Sequence, residues 1–370
     1  MASIQRRPDG SWRARYRDRA SKEHAKHFQT KRAAQEWLDG VATSVRIGTY
    51  ADPGRSRRLV SHVAESWLAS KLDSKASTAA RNRGVLDVHI LPRWGARKVG
   101  EIEQADVQEW VSELARTHLS ARTIRKIYFV LNGVMKHAFS LKCLAVNPCT
   151  GVNLPRASTA PRRYLTATQV EQLAAAAGEA APIVLTLAYT GLRWGELGAL
   201  RIRNVDLVRG RLIIEASVTE VNGTLEWTTP KDHQRRTVPI PDFLRAYLES
   251  AMIARSADDL LFPAPRGGVL RVRAARRGWF DRASTAAGVD GLSPSELRHT
   301  AASLAVHAGA HVLAVQRMLG HEKASMTLDV YSDLFDGDLD LVAERRDEVR
   351  SRGAADFLRT QTSKEALRLA

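Results

Sequence analysis

The second half of the chain carries five short segments in a fixed order: Thr190-Gly191-Leu192-Arg193-Trp194-Gly195-Glu196-Leu197, Pro230-Lys231, Leu297-Arg298-His299, Leu319-Gly320-His321 and Leu328-Asp329-Val330-Tyr331-Ser332. They belong together, so the fold has to bring permanent cations, a lysine, a histidine and a late tyrosine to one place. Such a set suits attack on a phosphodiester without a metal. A transferring phosphoryl group spreads negative charge over its non-bridging oxygens, and two arginines can hold that charge with paired N–H donors. Arg193 and Arg298 are the candidates for this clamp. A tyrosine becomes a covalent nucleophile once its proton is removed and the electrophile is held in line, which makes Tyr331 the candidate nucleophile. The leaving 5′ oxygen of a DNA sugar needs a proton, and Lys231, in the turn Thr229-Pro230-Lys231-Asp232-His233, can supply it as general acid. His321, ten residues before Tyr331, can donate a further hydrogen bond to the phosphate or orient the tyrosine.

At these residues the chain resembles the tyrosine recombinase family, more narrowly the phage integrases of high-GC Gram-positive bacteria. The resemblance spans nearly the whole chain. It rests on order and spacing as well as identity: the T-G-L-R-x-x-E-L box, the P-K…R-x-V-P-I hairpin, L-R-H-T-A-A-S, L-G-H and the terminal V-Y. It implies strand cleavage through a 3′-phosphotyrosyl link with release of a 5′-hydroxyl, and no ATP, metal or other cofactor. One position departs from the family. Where the family usually reads His-x-x-Arg, this chain reads Ser295-Glu296-Leu297-Arg298. A serine cannot act as a base near neutral pH. The expectation is that Ser295 keeps a phosphate hydrogen bond and that proton acceptance passes to Lys231, His321 or water, with activity persisting at a reduced rate. His299 is the tempting substitute, but neighbouring helix positions point about 100° apart, which counts against it.

At 370 residues the chain has room for two or three domains. A net charge of +16 favours a polyanionic partner, and the excess is uneven: residues 1–58 hold 14 Lys/Arg against 6 Asp/Glu, half of the surplus. That concentration suits a separate DNA-gripping module, because phosphate neutralisation supplies sequence-independent affinity. Cys143 and Cys149 stand without a second pair that would complete a zinc site, so they read as reduced thiols. No apolar segment follows the charged N-terminus, and no uncharged apolar run reaches the length of a membrane span. A cytoplasmic, nucleoid-associated protein is expected.

The expected fold is multidomain and mainly α with small β-sheets. Residues 1–46 read as an N-terminal module. Period-two alternation over residues 10–19 places Arg13, Arg15, Arg17 and Arg19 on one strand face and Trp12, Ala14 and Tyr16 on the other. A second strand over His24–Gln29 and a helix capped by Thr30 complete it. This resembles the arm-type DNA-binding domain of large phage integrases, whose sheet enters the major groove. A linker over 47–58 leads to a helical region, 59–150, in which Pro92 is expected to stop the second helix. It resembles the family's core-binding domain, with Arg122, Arg125 and Lys126 as candidate phosphate contacts. After a second linker, 151–163, a catalytic domain over 164–350 opens with a capping box at Thr168-Gln169-Val170-Glu171. A hairpin follows (Val205–Val208 with Leu212–Ala216), then a strand near Leu225–Thr228. Helices are expected at 242–254, 273–287, 295–308, 312–319 and 327–335. A further helix over 338–352 and a tail over 351–370 close the chain; the final apolar residues loosely resemble a degradation tag, although a frayed helix end is the simpler reading.

Two rivals stand beside this reading. Ala305, Gly309 and Val315 fall at helix-turn-helix offsets, which would suit a non-enzymatic DNA-binding regulator. A type IB topoisomerase shares the tyrosine chemistry, but the basic N-terminal module suits assembly at a second class of sites. Glu196 reads as a partner that orients an arginine, and Trp194 as packing. The partners expected are double-stranded DNA with core-type and arm-type attachment sites, four protomers assembled on it, a host DNA-bending protein and an excision factor, and no membrane.

Overall fold

Alternation of arginines with Trp12, Ala14 and Tyr16 builds the strand it predicts. The computed structural model describes residues 2–18, 21–157, 162–229, 235–335, 346–347 and 350–351. Three strands, β1 (Ser3–Arg6), β2 (Trp12–Arg17) and β3 (Glu23–Phe28), form an antiparallel sheet with β2 at its centre. Strands β2 and β3 match the expected pair, and β1 is additional. The helix α1 (Lys31–Ile47) covers one face, burying Ala14, Tyr16, Ala34 and Leu38. Thr30 caps it by accepting a hydrogen bond from the Ala33 amide. The chain divides into two units, residues 1–159 and 160–370.

The rest of the first unit is helical: α2 (Val60–Ala69), α3 (Ala76–Val85), α4 (Leu91–Trp94), α5 (Gln104–Ala115) and α6 (Ala121–Ser140). Their core holds Val63, Trp67, Leu86, Trp94, Trp110 and Leu131. Pro92 does not stop its helix as expected. A π-helical turn, Leu86–Ile90, joins α3 to α4, and the Leu91 amide bonds back to Leu86. That widened turn shifts the hydrogen-bond register, so Pro92 sits at the start of a fresh α-helical turn where its missing N–H costs little. The 47–58 segment is tied down at the end of α6: the Asp52 amide donates to the Lys142 carbonyl, Arg55 to Leu141 and the Ser56 hydroxyl to Cys143. Cys143 and Cys149 are buried free thiols.

In the second unit, α7 (Ala167–Ala177) and α8 (Ala181–Thr190) lead to α9 (Trp194–Ala199). The capping box of α7 is Thr166 with Gln169, two residues before the expected one; Thr166-Ala167-Thr168-Gln169 fits the same pattern and lies at the real helix start. The strands β4 (Val205–Asp206), β5 (Arg211–Ile214) and β8 (Arg236–Pro239) form one sheet, and β6 (Ser217–Val221) and β7 (Thr224–Thr228) a separate hairpin. The first expected hairpin is shorter than predicted because Asp206 turns inward on the loop and accepts from the Arg209 amide. Five helices follow: α10 (Asp242–Met252), α11 (Val272–Ala275), α12 (Asp281–Ala286), α13 (Glu296–His307) and α14 (Val312–Leu319). A second π-helical turn, Arg276–Phe280, joins α11 and α12. The helix α15 (Ala324–Tyr331) begins three residues earlier than expected. Residues 167–190 are long and apolar enough to cross a membrane by composition, but they fold as α7 and α8 inside the core. Most of the expected helix at 338–352 and nearly all of the 351–370 tail lie outside the described residues.

Gly133 marks a close approach of α6 to α2. A Cβ there would lie 2.8 Å from the Trp67 indole, which is itself buried. Gly133→Ala forces α2 and α6 apart and is expected to cost about 1–3 kcal/mol, read as a lowered urea midpoint by circular dichroism.

Candidate active site

The site is built where helices end. The helix α8 stops at Gly191, whose φ of 68° closes it in the left-handed conformation. A Cβ at this position would also lie 2.7 Å from the Leu319 side chain, so the turn requires glycine twice over. The next residues start α9, with Arg193 at its N-cap. The Arg193 amide donates to Glu196 Oε2 (2.9 Å) and its guanidinium to Oε1 (2.8 Å).

Glu196 is 1% exposed and takes a second arginine, Arg236 from β8, through two bonds of 3.0 and 2.6 Å. Burial alone would raise its pKa. The hydrogen bonds and charge of Arg236, helped by Arg193, outweigh that and hold the carboxyl at about 2. The expectation that Glu196 orients an arginine fits this geometry. Arg236 was not singled out from the sequence. The available signal was the carboxylate itself: a buried glutamate facing permanent cations demands close pairing.

Arg298, on α13, is buried and donates to the Gly191 carbonyl and the Leu319 carbonyl, both at 2.5 Å. These oxygens belong to the C-terminal ends of α8 and α14, where a cation is favoured. Burial lowers the pKa of Arg298 to about 9, so it stays charged at neutral pH. The helix α14 ends at Leu319 and Gly320, and His321 follows. Its Nδ1 lies 2.9 Å from the Thr327 hydroxyl, and its ring stacks on Tyr331 at 6.3 Å and 12°. Burial, followed by the charges of Arg298, Arg193 and Arg236, pushes His321 down to about 4; it is neutral at pH 7.

Tyr331, at the end of α15, is 1% exposed in a pocket with Ala302, Val315 and Leu319. Burial pushes its hydroxyl up to about 12, against the pull of Arg298. The hydroxyl lies 2.8 Å from Nδ1 of His299. Thus the residue that the sequence reading set aside as a base is the one bonded to the tyrosine. Ser295 is exposed at the N-cap position of α13, its hydroxyl bonded to that of Ser293 at 2.8 Å. Lys231 lies outside the described residues. The helix-turn-helix offsets fall in this same structure: Val315 is buried against Tyr331, and α13 and α14 form the walls of its pocket.

In the N-terminal sheet, Arg13, Arg15 and Arg17 lie on the face opposite Ala14 and Tyr16, and Arg13 and Arg15 both reach Glu23, at 3.3 and 3.8 Å. Arg19 lies outside the described residues. On α6, Arg122 and Lys126 are exposed and Arg125 is half-buried, its guanidinium 5.9 Å from the ring of Phe129. Asp18, His24 and Asp52 are near enough to share a cation. The His24–Asp18 bond and the amides of Gly54 and Arg55 on Asp52 account for their grouping.

Glu196→Gln keeps the shape of the carboxylate and removes its charge. Because the folded carboxyl sits near 2, below its unfolded value, the charge stabilises the fold above about pH 4.5 by about 3 kcal/mol. That contribution is lost as pH falls through the folded value. Urea unfolding of both proteins is expected to show a difference that is full at neutral pH and closes toward pH 2.

Comparison with known proteins identifies the family and the fold. The profile described as "Phage integrase family" matches residues 163–337, and "Phage integrase, N-terminal SAM-like domain" matches residues 60–115. A putative prophage phiRv2 integrase of Mycobacterium tuberculosis is 29% identical, with 86% of this chain and 88% of that protein covered. An integrase of Streptomyces ambofaciens is 27% identical, covering 81% and 80%. Among solved structures, the Tn1549 transposon integrase in complex with transposon right end DNA superposes with a TM-score of 0.69 at 19% identity, over 77% of this chain and all of that one. A lambda integrase tetramer bound to a Holliday junction gives 0.59 at 17%, over 87% and 96%. With both profiles matched in order and the helices gathering the arginines, histidines and tyrosine at one place, the chain belongs to the phage integrase family of tyrosine recombinases.

Proposed function

We propose that this recombinase is the integrase of a temperate phage or prophage, and that Tyr331 is its nucleophile. The observation that carries the assignment is the meeting of α13, α14 and α15, which sets Arg298, His321 and Tyr331 around one pocket. The Tyr331 oxygen attacks a DNA phosphorus and forms a 3′-phosphotyrosyl bond. The bond to the 5′ oxygen breaks, and that oxygen leaves with a proton from Lys231. Arg193 and Arg298 hold the non-bridging oxygens. His321, with Nδ1 turned to the Thr327 hydroxyl, has Nε2–H to donate to the same phosphate. Ser295 supplies at most a hydrogen bond. The ester stores the bond energy, and attack by a 5′-hydroxyl of another strand reverses the step.

The arginines of the N-terminal sheet grip arm-type sites, and Arg122, Arg125 and Lys126 contact the backbone at core-type sites. In the catalytic unit, Arg193, Arg271 and Arg273 line one cleft with Ser217 and Thr219, a cationic approach to the phosphate clamp. Exchange of four strands calls for four protomers, in keeping with the lambda integrase tetramer on a Holliday junction. The protein works in the cytoplasm on nucleoid DNA, with a DNA-bending host protein and an excision factor as partners.

Wild type and Tyr331→Phe incubated with fragmented genomic DNA of a candidate host and phage, then denatured, decide the reading. Covalent adducts that need Tyr331 and gather at a few positions are expected, and their sequenced ends give the attachment sites. Adducts scattered along the DNA would favour a topoisomerase. Wild type that binds but leaves no adduct would point to a DNA-binding protein.

Replacing Arg13, Arg15 and Arg17 together by alanine is expected to weaken arm-site binding and to flatten its salt dependence by about 0.9 log units per lost phosphate contact. Core-site binding should keep its slope, as titrations at several salt concentrations would report.

A further inference from the structure

A nucleophilic tyrosine whose hydroxyl is pushed up to about 12 needs a proton acceptor at hand. The family's usual histidine is a serine in this chain. Ser295 has no basic nitrogen, and its hydroxyl is turned to Ser293. His321 is near, its ring parallel to the tyrosine ring with centroids 6.3 Å apart, but its Nδ1 faces Thr327 and it makes no hydrogen bond to the phenolic oxygen. His299 does: Nδ1 lies 2.8 Å from the Tyr331 oxygen, with the two rings tilted by 57°.

We propose that His299 is the general base that takes the phenolic proton of Tyr331, in place of the histidine that position 295 lacks. The proposal rests on the reading of Tyr331 as nucleophile. In the structure, α13 uses two faces. Arg298 points to the helix ends at Gly191 and Leu319, and His299, one position on, meets the end of α15. The divergence lets one helix hold the phosphate with one residue and address the nucleophile with the next.

As the Tyr331 oxygen forms its bond to phosphorus, its proton moves to Nδ1 of His299, leaving an imidazolium. The phosphorus–O5′ bond breaks with its electron pair going to O5′, which takes a proton from Lys231. In rejoining, the incoming 5′-hydroxyl returns a proton to the lysine and the imidazolium returns one to the phenolate oxygen. Nδ1 is open for this only in a neutral ring. Burial, then the charges of Arg162 and Arg298, lower the pKa of His299, while Glu296 raises it. The other titratable groups around the pair are Tyr164, Arg193 and His321.

The test uses a duplex carrying a cleavage position recovered by adduct mapping, made with either oxygen or a 5′-bridging sulfur at that phosphate. A sulfur leaving group needs no proton, so it rescues loss of the acid and not loss of the base. Single-turnover rates are expected to fall about 100-fold or more in His299→Ala and in His299→Gln with both duplexes. Lys231→Ala should recover on the sulfur duplex alone. Ser295→His should add little to wild type but restore His299→Ala by about tenfold or more. Wild type on the sulfur duplex should lose rate as pH falls through an ionisation below about 6.5.

A His299→Gln rate within about threefold of wild type, or its rescue by sulfur, overturns the proposal. So does a wild-type profile on the sulfur duplex that stays flat as pH is lowered to the limit at which the folded protein still binds DNA, a readout that does not depend on any variant folding. Adducts formed by Tyr331→Phe would instead overturn the assignment of the nucleophile, which separates the two failures.

Discussion

Glu196 is the residue on which the catalytic unit turns. Its carboxylate is buried, and burial alone would disfavour its charge by several kcal/mol. It stays ionised because Arg193 closes on it from the same helix start and Arg236 forks onto it from β8. Arg236 in turn donates to the Met318 carbonyl near the end of α14. One acidic side chain thereby ties α9, the small sheet and α14, elements far apart in sequence. It also makes the cation cluster tolerable, since three guanidiniums gathered without it would repel one another in a poorly solvated space.

Arg298 adds the second tie, joining the ends of α8 and α14 through their carbonyls. The same guanidinium groups that suit a phosphate thus fasten the scaffold before any phosphate arrives. Helix ends pointing inward explain why: their unpaired carbonyls need donors, and an arginine can satisfy them with part of its fork while presenting the rest. The donors proposed for the phosphate and those that satisfy the helix ends belong to the same side chain.

Much of this was legible in the sequence, for identifiable reasons. The alternation around Arg13, Arg15 and Arg17 has period two, which only a strand with two unlike faces satisfies, and the register bears it out. The arginine, histidine and tyrosine motifs sit at helix starts and ends, where glycine and capping residues mark the boundaries. The failures were of another kind. Pro92 looked like a stop because sequence shows the missing amide and not the π-helical turn that absorbs it. Arg236 looked like one basic residue among several because its partner is distant in sequence. His299 was discounted by an angle measured along its own helix, although the group it meets comes from α15. For Arg236 and His299 the missing information was a tertiary contact, and for Pro92 a local shift of helical register, neither of which the residue pattern encodes.

The small size of the cluster around Tyr331 has a mechanical meaning. The main core of the catalytic unit is built from α7 to α13 and the sheet, and its buried members do not include the tyrosine. Tyr331 belongs instead to a satellite group with Ala302, Val315 and Leu319. Local opening costs only the contacts that are broken. Detaching α15 would therefore strip one aromatic ring and a few methyl groups of their cover and leave the core that holds the arginines intact. Such an opening would also release the Tyr331–His299 and Thr327–His321 hydrogen bonds, but it would leave the main core, which shares no buried residue with the tyrosine's cluster, closed.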